Sequence, residues 1–134
     1  MYENIIICLA LDHGISARAL AVAQHLLSPD GKITAVHVYE PPSSSVRTYL
    51  DDETIASVRA DAERKLAERV AQHPGIGSVL LSGNPARSIN DHAARIGADC
   101  IVVGSHKPGL SDYFLGTTAA RVVRHAPCAV HVLR

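Results

Sequence analysis

The sequence predicts an α/β protein: a five-stranded parallel sheet with helices on both faces. Two observations carry this. Short runs rich in β-branched and apolar residues recur along the chain (NIIICL, KITAVHVY, GSVLL, CIVV and CAVHVL), and several show the unbroken apolar character of strands buried on both faces. Between them lie stretches with apolar residues every three or four positions. The order is therefore β-α-β-α-β-α-β-α-β, which implies parallel pairing through right-handed crossovers. A chain of 134 residues fits one domain of this kind, residues 1–134, with no internal repeat.

The first strand spans Asn4 to Leu9 and runs out at Leu11-Asp12-His13-Gly14. Ser16 can cap a helix reaching about Leu27, with Ile15, Ala19, Val22, Ala23, Leu26 and Leu27 on one stripe. Ser28-Pro29-Asp30-Gly31 has turn chemistry. Strand two is Lys32 to Tyr39, followed by Glu40-Pro41-Pro42-Ser43-Ser44-Ser45, read as a surface segment extending to Leu50 and a conceivable lid. Asp51 or Asp52 opens the longest helix, to about Gln72. Its inner stripe is Ile55, Val58, Ala62, Leu66 and Val70, and Pro74-Gly75 ends it. Strand three is Gly77 to Leu81, closed by Ser82-Gly83. Pro85 stands just inside the next helix, where its missing N–H costs nothing, and that helix carries Ala86, Ile89, Ala93 and Ile96 inward. Strand four, Cys100 to Val103, stops at Gly104. The last helix covers Ala119 to His125, and the last strand Cys128 to Leu133.

Composition narrows the function classes. Thirteen basic and thirteen acidic residues give no net charge, so nothing electrostatic favours nucleic acid or a membrane surface. One Phe and no Trp leave few platforms for stacking bases. No apolar run approaches the ~20 residues of a membrane span, and no secretory leader pattern is seen. Cys8, Cys100 and Cys128 all fall inside apolar strand-like runs, where a thiol acts as a small hydrophobe, so a reducing, cytoplasmic setting is expected. Eight scattered histidines show no metal-ligand spacing. His37 and His131, in strand-like runs, are expected to be satisfied by hydrogen bonds. The nucleophile elbow, the Walker A pattern and a dinucleotide fingerprint after strand one are all absent.

What remains is the stretch from Ala98 to Arg134. A strand ending in glycine, then a glycine and hydroxyl residues opening a helix, is how an α/β protein holds a phosphate: glycine lets backbone approach, and free N–H groups at the helix start face the anion. In open parallel sheets ligands sit beyond the carboxyl ends of the strands, at the switch point of strand order. Asp12, Val38 to Glu40, Gly83 and Gly104 lie at such ends.

The strand-one ending Ala10-Leu11-Asp12, the Gly83-Asn84-Pro85 element and above all the tail GSHKPGLSDYFLGTTAARVVRHAPCAVHVLR resemble the universal stress protein family over the whole chain. Within it the tail is most similar to the branch with a Ser-His-Arg-Pro loop and a Leu-Gly-Ser-Asn helix entrance. The resemblance implies a Rossmann-like, adenine nucleotide alpha hydrolase-like fold, a homodimer through the C-terminal strand with further pairing to tetramers open, and nucleotide binding through G-x2-G-x9-G-(S/T). Gly104 matches the first glycine of that motif and Gly116-Thr117 the last pair. Lys107 stands where the middle glycine would be, and the interval to Gly116 is one residue shorter, a spacing the Ser-His-Arg-Pro branch shares.

The expected ligand is ATP, with Mg²⁺ on its phosphates, in a stress-response regulatory protein acting as a dimeric switch. The residues expected to bind it are Ala10, Leu11, Asp12, Val38, Val103, Gly104, Ser105, His106, Lys107, Gly116, Thr117 and Thr118. Asp12 would orient ribose, adenine or the metal; Val38 would line the adenine pocket; Ser105 and His106 would donate to phosphate or ribose. Two other classes stay open, a slow ATP-hydrolysing enzyme with Asp12 or His106 as base and a nucleotide-free dimeric adaptor.

Overall fold

The computed structural model describes residues 1–11, 16–105 and 115–134. The elements are β1 (Tyr2–Cys8), α1 (Ala17–Leu26), β2 (Leu27–Tyr39), α2 (Ser44–Arg47), α3 (Asp52–Ala71), β3 (Ile76–Ser82), α4 (Pro85–Ile96), β4 (Cys100–Gly104), α5 (Thr117–His125) and β5 (Ala129–Leu133). The five strands form one parallel sheet in the order β3-β2-β1-β4-β5.

Alternation along the strands sorts the core into two layers. Ile5, Ile7, Ile33, Ala35, Cys100 and Val102 face α1 and α3, meeting Ala19 and Ala23 from α1 and Leu66 and Val70 from α3. Ile6, Val36, Val38 and Ile101 face the other way, onto Ala86, Ile89 and Ala93 of α4 and Val122 of α5. Ile5, Ile6, Ile7 and Ile101 are almost wholly buried, as expected of central parallel strands covered on both sides. The small alanines of α1 and α4 let helix backbone approach the sheet.

Capping follows the sequence closely. The side chains of Ser16, Asp51 and Asn84 accept backbone N–H groups of Ala19, Thr54 and Arg87 and so start α1, α3 and α4. Gly97 ends α4 at φ +67°, a left-handed conformation that suits glycine.

Four expectations are corrected. Ser28-Pro29-Asp30-Gly31 is not a turn before β2 but an insertion inside it: Tyr2 pairs with Leu27 and Asn4 with Lys32, so the tetrapeptide bulges opposite Glu3. The segment after β2 is not all loop, because Ser43 caps the short helix α2 by accepting from Val46 N–H. Val58 is not on an inner stripe; it is 53% exposed, since α3 crosses the sheet only with its second half. Finally, α5 begins at Thr117, two residues before the predicted start.

Candidate functional site

The strand order places the site. β2 and β3 lie on one side of β1, and β4 and β5 on the other, so connections diverge between β1 and β4 and leave a crevice beyond their carboxyl ends. Register fixes what stands there. Ile7 pairs with Val102 and Cys8 with Val36, so Ala10, Val38 and Ser105 come to nearly one level where the strands run out.

Ser105 is the junction. It is buried, its N–H donates to Leu133 O at 2.7 Å, and its carbonyl accepts from Gly116 N–H. One residue thus ties the end of β4 to the end of β5 and to the start of α5. Gly104 beside it is exposed, and among the described residues a side-chain carbon placed there would meet nothing within 4 Å.

The start of α5 differs from those of α1, α3 and α4. Its N-cap is Gly116, with no side chain to accept the first-turn N–H groups, and Thr117 and Thr118 are both exposed. No acidic residue occupies the first turn. The positive end of the helix dipole therefore remains without an anionic or hydroxyl cap from this helix's own N-cap position.

The end of β1 is held from two sides. His37 Nδ1 bonds Leu9 O at 2.8 Å, with the imidazole as donor, and Arg69 Nη2 donates to Leu11 O at 3.1 Å. Ala10 is exposed, and Leu11 is half-buried against Leu9, Ala35, Leu66 and Val70. Val38 and Val103 are buried. The Val38 side chain sits in the core beneath α4, so lining the crevice falls to backbone at that position rather than to the isopropyl group. Burial pushes the Cys8 thiol, at the end of β1, up to about 12, which keeps it neutral.

The structure thus brings Ala10, Leu11, Val38, Val103, Gly104, Ser105, Gly116, Thr117 and Thr118 to one end of the sheet. Asp12, His106 and Lys107 lie outside the described residues. Sequence reasoning did not assign a role at the site to Arg69 or to the Ser105 carbonyl. Arg69 sits in the last turn of α3, next to the buried Val70, and that position was the available signal.

A five-stranded parallel sheet whose strand order changes direction between β1 and β4, with helices on both faces, defines the class of open, doubly wound α/β proteins. The chain matches the Universal stress protein family over residues 1–134 and belongs to that family. It is 32% identical to Universal stress protein G of Escherichia coli O157:H7 over 152 residues, covering 100% of both chains. Among solved structures, universal stress protein UspA of Lactobacillus plantarum superposes with a TM-score of 0.70 at 26% identity, over 99% of this chain and 98% of that one. A universal stress protein family protein of Arabidopsis thaliana with AMP bound superposes with a TM-score of 0.61 at 20% identity, over 98% and 90% of the two chains. Structures of two further members of the same fold hold cAMP and dAMP.

Proposed function

We propose that this chain is a nucleotide-binding regulatory protein of the stress response that holds an adenine nucleotide, ATP with Mg²⁺ in the full reading, at the crevice between β1 and β4. The observation that carries the proposal is the start of α5: a helix whose N-cap offers no side chain, set next to an open glycine, is built to accept an anion from outside. The amides of residues 117–119 would face the phosphate, with the hydroxyls of Thr117 and Thr118 beside them. The backbone around Val38 and the Ala10-Leu11 ending would meet the base and ribose, with Asp12, His106 and Lys107 completing the set. AMP, cAMP and dAMP in structures of the same fold support an adenine ligand.

The switch is a population shift in a cytoplasmic homodimer: nucleotide that binds one state better than another displaces the equilibrium without being consumed. The general base of a hydrolytic reading would be Asp12 or His106, since the side chains of His37 and Arg69 are engaged with the backbone of the β1 ending.

Gly116→Asp tests this. An aspartate at the N-cap accepts the first-turn N–H groups itself, so helix and protein should be as stable as wild type or about 0.5 kcal/mol more so. Its charge occupies the place of the phosphate, and calorimetric titration should show AMP and ATP binding weakened by more than about tenfold. A Gly116→Asp protein that binds AMP like wild type would remove the phosphate from this helix.

A further inference from the structure

We propose that His37 is the residue that makes the site selective for adenine, because its imidazole releases the main chain of Val38 to read the base. The inference rests on the nucleotide reading given above and adds a positioning residue to it.

The register carries the argument. Pairing of β1 with β2 ends at Cys8 with Val36, so the next step sets Leu9 opposite His37. In a regular parallel ladder Leu9 would then donate its N–H to Val36 O and accept at its own carbonyl from Val38 N–H. Only the first of these bonds forms, at 2.8 Å. The Leu9 carbonyl accepts instead from His37 Nδ1, also at 2.8 Å, and Nδ1 is the protonated nitrogen because a carbonyl only accepts. The side chain of His37 has thus taken the partner that belongs to the next residue's amide. Arg69 Nη2 takes the Leu11 carbonyl at 3.1 Å, so side chains hold the exit of β1 where the ladder stops.

Alternation shows where the released groups point. Val36 O is turned toward β1, where it meets Leu9 N–H, and Tyr39 O toward β3, where it accepts from Gly83 N–H. The N–H and C=O of one strand residue share a side, so both main-chain groups of Val38 face the exit of β1. One donor and one acceptor therefore stand side by side at the carboxyl end of β2, beside the crevice. The edge of adenine offers their complement, the N1 lone pair and the N6 amino group, whereas hypoxanthine reverses both with N1–H and O6. A main-chain donor left without a partner is costly, so a base that engages it is preferred to one that does not.

The test combines hydrogen exchange with nucleotide titrations. In ligand-free wild type the Val38 amide should exchange at least about tenfold faster than the Val36 amide, which lies inside the ladder, and saturation with AMP should slow it. Calorimetry should show AMP bound about tenfold more tightly than IMP. In His37→Phe the Leu9 carbonyl is open to Val38 N–H, so the AMP preference should fall to about one, with IMP, held by its phosphate at α5, within about twofold of its wild-type affinity. His37→Asn, which places an amide N–H near the position of Nδ1, should keep most of the preference. A Val38 amide as protected as that of Val36 without ligand, a folded His37→Phe protein that keeps the wild-type preference, or one that loses both nucleotides alike would each overturn the proposal and leave the nucleotide reading standing. A wild type that binds neither nucleotide removes both.

Discussion

Asp99 shows how much one side chain can organise. It precedes β4, yet both of its carboxylate oxygens take backbone N–H groups from the start of β1, so it staples together the two strands that later frame the crevice. Its folded-state carboxyl lies below the ordinary aspartate range, the backbone donors outweighing burial. A depressed carboxyl contributes stability in full above its unfolded value of about 3.9, and that contribution fades as pH falls through the folded value. Denaturant melts of wild type and Asp99→Asn should therefore differ by a constant amount above about pH 5 and converge below about pH 4. Because the group is largely solvated, the difference should stay within about 1 kcal/mol. A gap that widened on acidification would contradict this role.

Legibility at this scale was uneven. Ser16 at the start of α1 and Asp51 at the opening of α3 were readable because capping is local chemistry, whereas Asn84, read only within the Gly83-Asn84-Pro85 element, proved to be the N-cap of α4. Asn4, Asn90 and His92 were not read as buried, since periodicity of apolar residues cannot register a polar side chain enclosed by tertiary contacts. His37, expected to be satisfied within a strand, is so, through Leu9 O.

At the scale of elements, α3 separates pattern from packing. Its apolar spacing runs from Ile55 to Val70, yet only Ala62, Leu66 and Val70 are buried, because only the second half lies over the sheet. Exposed ion pairs populate the solvent side of its middle and second half, among them Arg59 with Glu63 at 3.7 Å and Lys65 with Asp61 at 3.1 Å; such pairs are worth little each. Leu66→Ala should cost about 3 kcal/mol in chemical denaturation, and Val58→Ala less than about 0.5 kcal/mol. Comparable losses would place α3 differently on the sheet. The bulge in β2 teaches the same lesson: Pro29, Asp30 and Gly31 have turn chemistry, but pairing of Leu27 with Tyr2 is a contact across the fold that local sequence does not display.

For the whole molecule, the five apolar runs were enough to read a parallel α/β sheet, and the glycine-to-hydroxyl pattern located the Gly104 and Gly116 end of it. The strand order was less accessible, because it depends on which side of β1 each crossover returns to. That order puts β5 at an edge, with Val130 to Leu133 half-buried and unpaired on their outer side among the described residues. Self-pairing of this strand across a twofold is the proposed dimer contact. Val132→Lys should shift sedimentation toward monomer with the fold intact; a lysine variant as dimeric as wild type would assign the interface elsewhere.

The central claim is that an adenine nucleotide lies over the carboxyl ends of β1 and β4 with its phosphate on α5. An amide-resolved NMR titration with AMP tests it most directly. The backbone signals of Gly104, Ser105, Gly116, Thr117 and Thr118 should move together along one saturable curve. Saturation that leaves those five amides in place while others move would contradict the account.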